Sequence, residues 1–169
     1  MRERSFVQRN KRVSLRELTD LVALRPPGEQ EKRAAGRIPE AMAAEVPEAQ
    51  VRAFERAGWV FQERDARDET PTGSSRATVF VKPGGRLALG TNTLTVQLQG
   101  DPSDEEAAAI LKPFGVELLQ RLKFAPGLFR AAVMDGARGD TVDLANELVE
   151  TGIVRFAEPE LIEGLGGRQ

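Results

Sequence analysis

The sequence predicts an α+β fold, and three observations carry that prediction. Apolar residues alternate in TLTVQL (93–98), the period of a half-buried strand. They recur at helical spacing after DPSDEE and in TVDLANELVET. Gly, Pro and Asp clusters mark the changes from one period to the other.

The clearest run covers residues 91–163. In TLTVQL, Leu94, Val96 and Leu98 share one face, and Thr93, Thr95 and Gln97 share the other. A helix follows in GDPSDEEAAAILKPFG. Ser103 and Glu106 are spaced as a capping box, and Ala107, Ile110, Leu111 and Phe114 fall at i, i+3, i+4 and i+7. Pro113 and Gly115 mark its end. VELLQRLKF and LFRAAVMD read as two strands joined at Ala125-Pro126-Gly127. GDTVDLANELVETG is a second helix with Asp140 as N-cap and Gly152 as its stop, and IVRFAE is the closing strand.

That order, β-α-β-β-α-β, is the split βαβ or ferredoxin-like arrangement. It predicts an antiparallel sheet with both helices on one face. The open face would carry Thr95, Gln97, Leu119, Arg121, Arg130, Arg155 and Ala157.

The first half reads as a partial β-α-β-β duplicate. RVSLRELTDLVALRP aligns with RLALGTNTLTVQLQG, setting Arg12 on Arg86, Leu15 on Leu89, Val22 on Val96 and Leu24 on Leu98. PEAQVRAFERAGWVFQER aligns with DEEAAAILKPFGVELLQR, with Gly58 on Gly115 and Arg64 on Arg121, and RATV (76–79) with RAAV (130–133). GEQEKRAAGRIPEAMAAE reads as the longer connection of the first copy, and Trp59, Phe61 and Phe80 as its core. The expected organisation is a flexible basic N-terminus (1–11), the partial repeat (12–84), the ferredoxin-like domain (85–163) and an extended tail (164–169). The polar stretch RDARDETPTGSS (64–75) reads as a mobile loop.

Composition narrows the function. The 169 residues carry a formal net charge of −2, with no His, Cys or Tyr. The usual zinc, iron and copper ligand sets and the His-dependent nucleophile systems are thereby excluded. No pair among the 26 acidic residues lies in an apolar context fit for acid–base work, so no enzyme, cofactor or metal is expected. DPSDEE and RDARDET read as solvated surface. Near-neutral charge and few aromatics weigh against nucleic acid, and no apolar run reaches the roughly 18 residues of a membrane span. Without a signal segment or disulfides, the expected location is cytoplasmic.

The run AAAILKPFGVELLQRLKFAPGLFRAAVMDG, followed by VDLANELVETGIVRFAEPELIE, resembles the N-terminal prodomains of subtilisin-like serine proteases. The closing pattern, Val154-Arg155-Phe156-Ala157-Glu158-Pro159-Glu160-Leu161, is similar to theirs, and the likeness covers about half the chain. The resemblance implies a protease inhibitor and folding assistant that docks in a one-to-one complex. Its open sheet face would lie on the enzyme, through Thr95, Gln97, Arg121, Arg130 and Arg155. Its tail, Leu161, Ile162, Glu163, Gly164, Leu165 and Gly166, would enter the cleft as a substrate-like strand. One register puts Leu165 in the primary specificity pocket and Ile162 in the other apolar pocket. A second puts Leu161 and Gly164 in those pockets. Such prodomains often present acidic residues at the central hairpin, whereas KFAPGLFR is basic and apolar, with Phe124 and Phe129 as alternative apolar contacts. The competing reading is a regulatory, small-ligand or protein-interaction module with no protease partner.

Overall fold

The computed structural model describes residues 2–26, 38–63, 75–134 and 139–163. In chain order these form β1 (Arg2–Gln8), β2 (Lys11–Glu17), β3 (Leu21–Arg25), α1 (Glu40–Ala43), α2 (Glu48–Arg56), β4 (Val60–Glu63), β5 (Ser75–Lys82) and β6 (Arg86–Leu98). Then come α3 (Asp104–Leu111), β7 (Val116–Arg121), β8 (Leu128–Val133), α4 (Thr141–Thr151) and β9 (Val154–Glu163). The protein is α+β, with antiparallel strand pairing. Among the described residues, no helix is long and apolar enough to cross a membrane.

The chain divides into two compact units, one built mainly on Ser14–Gly90, the other on Ser5–Val13 and Thr91–Glu160. The division falls inside β6, between Gly90 and Thr91, and not at the glycines after Pro83 where the sequence had placed it. Lys82-Pro83-Gly84-Gly85 instead makes the tight β5–β6 connection, with both glycines at positive φ and Gly85 N–H donating to Lys82 O at 3.1 Å.

In the second unit the strand order is β9-β6-β8-β7. β8 therefore lies between the two strands that α3 connects, and β6 between the two that α4 connects. Leu94, Val96 and Leu98 of β6 and Phe129 and Ala131 of β8 form one core with Ala107 and Leu111 of α3 and Leu144, Ala145 and Leu148 of α4. Both helices thus cover the same sheet face, as their single apolar stripes require.

Local chemistry fixes the helix ends. Ser103 and Glu106 close the expected capping box, and Asp140 and Asp143 close a second one. Gly115 (φ 74°) and Gly152 (φ 78°) end α3's last turn and α4 in the left-handed region. Ile110 departs from the helical reading: it is 36% exposed, whereas Ala107 and Leu111 are fully buried.

In the first unit α2 packs Val51 and Phe54 onto a core with Leu21, Ala23, Val79, Val81, Leu87, Leu89 and Trp59. Phe61 packs at its margin, edge-on to Phe54, and Phe80 is buried. The elements here follow as β3-α1-α2-β4-β5, and their pairing does not repeat that of the second unit. β3 pairs directly with β4 and also with β5, whereas in the second unit β6 and β7 are separated by β8. The connection from β3 to β4 also contains α1, in a stretch read as pure connector, so the chain can return antiparallel beside β3. The aligned segment RVSLRELTDLVALR is moreover two strands. β2 meets β5 at Arg16↔Val81 and β3 meets it at Ala23↔Ala77, a jog of three residues that the continuous β6 lacks.

The N-terminus also departs from expectation. Residues 2–8 are a strand, hairpinned to β2 through Arg9 and Asn10, both at positive φ. Arg4 and Glu17 form a buried ion pair at 2.6 Å in the first unit. Within the second unit, Asn146 Nδ2 donates to Ser5 O at 2.9 Å and Arg9 N–H donates to Glu158 at 3.1 Å. These long-range bonds order a segment that has no periodicity of its own. The expected mobile loop lies outside the described residues apart from Ser75, which opens β5.

Candidate functional site

The face of the second unit away from α3 and α4 is built by alternation. With Leu94, Val96 and Leu98 turned into the core, Thr93, Thr95 and Gln97 point outward. β8 adds Arg130, the cross-strand neighbour of Thr95. β9 adds Glu160, which sequence reasoning did not single out, although it follows directly from the strand's alternation beyond Pro159.

Arg130 and Glu160 meet as a two-pronged ion pair, Nε to Oε1 at 2.9 Å and Nη2 to Oε2 at 3.0 Å. Thr93 Oγ1 also donates to the Glu160 carboxylate, and Thr91 Oγ1 donates to the Glu160 main-chain oxygen at 3.1 Å. The Arg130 guanidinium, with help from Thr93, holds the Glu160 carboxyl below the usual glutamate range, against the opposing effect of partial burial. Glu160 in turn raises Arg130. The group is a charge-balanced polar row, suited to matching hydrogen bonds from a partner surface. The shift makes the Glu160 carboxylate a weaker base than an ordinary glutamate. Among the described residues, no cluster of acidic side chains could hold a metal ion.

Three residues expected on this face behave otherwise. Arg121 lies on the helix side. β7 pairs with β8 as Leu118↔Ala131 but then Gln120↔Arg130 and Arg121↔Phe129, so Leu119 is an extra residue in β7. A bulge of one residue inverts the alternation beyond it. It leaves Leu119 exposed and sets the Arg121 guanidinium 4.6 Å from the centre of the Phe129 ring. There Arg121 donates to Asp104 (2.8 Å), Asp101 (3.1 Å) and Pro102 O (2.6 Å), tying β7 to the start of α3.

Ala157 is only 2% exposed and belongs to the core, where it joins Val154. Two core residues three apart interrupt strict alternation in β9. Arg155 between them is exposed but takes no part in the Arg130–Glu160 cluster. Thr95, Gln97 and Arg130 lie on the open face as expected, and Leu119 is the exposed bulge residue.

The β7–β8 loop borders this face. Gln97 Nε2 donates to Pro126 O at 3.0 Å. Of the two apolar candidates here, Phe129 is fully buried and Phe124 is 81% exposed.

Three of the six residues expected to enter a cleft lie within β9. Pro159 does not end the strand: β9 continues to Glu163, so Leu161, Ile162 and Glu163 are strand residues. Within the first unit, Glu163 pairs with Lys82 at 2.5 Å. Leu161 is half-buried and Ile162 is 36% exposed. Gly164, Leu165 and Gly166 lie outside the described residues. No family model matches the chain, and no curated protein or solved structure matches it.

Proposed function

We propose that the chain is a protein inhibitor, and folding partner, of a subtilisin-like serine protease. On this reading the second unit is a ferredoxin-like domain. It applies the row of Thr93, Thr95, Gln97 and Arg130 to the enzyme, and the residues after Glu163 lie substrate-like in the cleft. The observation that carries the proposal is the strand order β9-β6-β8-β7 with both helices on one face. That order leaves a bare polar face whose edge strand, β9, leads directly into the C-terminal segment. Extended chain gripped in a cleft gains main-chain hydrogen bonds and places alternate side chains in pockets. Each register draws on a residue that β9 holds, Leu161 in one and Ile162 in the other, and Ile162, 36% exposed, is the more accessible of the two.

One observation favours the second reading, an interaction module without a protease. β9 runs to Glu163 and is fastened by Lys82, so all three expected tail residues before Gly164 are held in the strand. The two readings separate in a single titration. The inhibitor reading expects stoichiometric loss of peptide hydrolysis by the subtilisin-like protease encoded with or nearest this chain. Unchanged hydrolysis at high molar excess would leave only the interaction module.

A further inference from the structure

We propose that Phe124 is the anchor of the docking surface. The loop between β7 and β8 presents its ring to an apolar pocket on the partner, and Lys123 beside it meets a carboxylate at that pocket's rim. The inference rests on the reading above, in which the partner is a subtilisin-like protease.

The loop is held from several directions. Leu122 N–H donates to Leu128 O at 2.8 Å, and Leu98 N–H donates to Gly127 O at 2.8 Å. The Asp101 carboxylate accepts from Gly127 N–H at 3.2 Å while it also binds Arg121, and Gln97 holds Pro126 O. Gly127 sits at φ 70°, and a Cβ there would lie 2.7 Å from Leu98 O and 2.8 Å from Gly100 O. No other residue fits at that point without moving the backbone.

Onto this braced frame the chain places the most exposed large apolar side chain among the described residues. A solitary exposed apolar residue is ordinary. An aromatic ring on a loop already fixed by its neighbours is a different object. It offers a large contact area with little ordering left to lose on binding, the property that marks interface anchors.

Charge selects the pocket. Asp101 and Asp104 are taken up by Arg121, and no ion pair involves Lys123 among the described residues. The loop tip therefore presents one cation beside one ring, and its complement is an apolar pocket with an acidic rim. Gln97 belongs to the open face and also grips the loop, so the anchor extends that face. An acidic hairpin would instead seek positive helix N-termini.

The test titrates the protease with the full chain and with Phe124→Ala and Lys123→Glu variants, following peptide hydrolysis and, separately, thermal unfolding. Phe124→Ala is expected to weaken inhibition by roughly 30-fold, the scale of losing a hot-spot ring, at an unchanged unfolding midpoint. Lys123→Glu is expected to weaken it less, with a loss that shrinks as salt is raised. A wild-type chain that inhibits while Phe124→Ala inhibits equally well overturns the anchor and spares the inhibitor reading. A wild-type chain that does not inhibit overturns both. Concentration-dependent self-association that Phe124→Ala abolishes would assign the ring to a contact between copies, and would also overturn the proposal.

Discussion

Glu160 shows at the scale of one residue how the open face is held. Its carboxylate takes both prongs of Arg130 and the Thr93 hydroxyl, and its main-chain oxygen takes Thr91. Because Arg130 lowers its folded-state pKa, Glu160 contributes stability above the unperturbed glutamate value of about 4.3. That contribution disappears as pH falls through the lower folded value. The contribution is small, below about 1 kcal/mol, since Arg130 is 44% and Glu160 33% exposed. Glu160→Gln cannot titrate. The wild type should therefore be the more stable at pH 7, and its advantage should shrink toward zero on acidification. Denaturant titrations of both proteins across the acid range would check this. An advantage that grew on acidification would contradict the assigned ion pair.

At the scale of elements, α3 and β7 are one construction. Ser103 caps α3, and Arg121, turned by the bulge at Leu119, binds Asp101, Asp104 and Pro102 at the same end. Ser103→Ala leaves the Glu106 N–H without its acceptor and should cost about 1 kcal/mol, read as a lower denaturant midpoint at unchanged slope.

The capping boxes and the alternation in β6 were legible because they are local: each depends on residues within one turn or one strand. The bulge was not. Leu118-Leu119 reads as strand in either register, and what chooses is Arg121 reaching carboxylates some 17 and 20 residues earlier in the chain. The N-terminal hairpin was hidden for the same reason. It is ordered by Arg4 against Glu17 and by Ser5 against Asn146, not by any pattern within residues 2–8. IVRFAE was read as the whole closing strand, yet β9 runs on through Pro159, because a residue with no N–H breaks a strand only where that N–H is needed for the ladder. The pairing of β3 with β4 depends on where a long connection returns, and alternation says nothing about that.

At the scale of the whole molecule, the first unit contributes a second, separately packed core around Trp59 and Phe54, and the chain re-enters it at Leu161. That return sets where a useful truncation can be made. Cutting after Pro159 removes strand residues and the Glu163–Lys82 pair, so a loss of function there would mix unfolding with loss of contact. Cutting after Glu163 keeps every residue of β9. Such a protein should retain the wild-type unfolding midpoint while losing most of its inhibition, if the segment beyond Glu163 is what enters the cleft.

The measurement that bears most directly on this account is therefore a titration of the subtilisin-like protease with the full chain and with the chain ending at Glu163. The account predicts one-to-one, tight inhibition by the first and strongly weakened inhibition by an equally stable second. Equal inhibition by the two would contradict the substrate-like tail, and no inhibition by either would contradict the inhibitor reading itself.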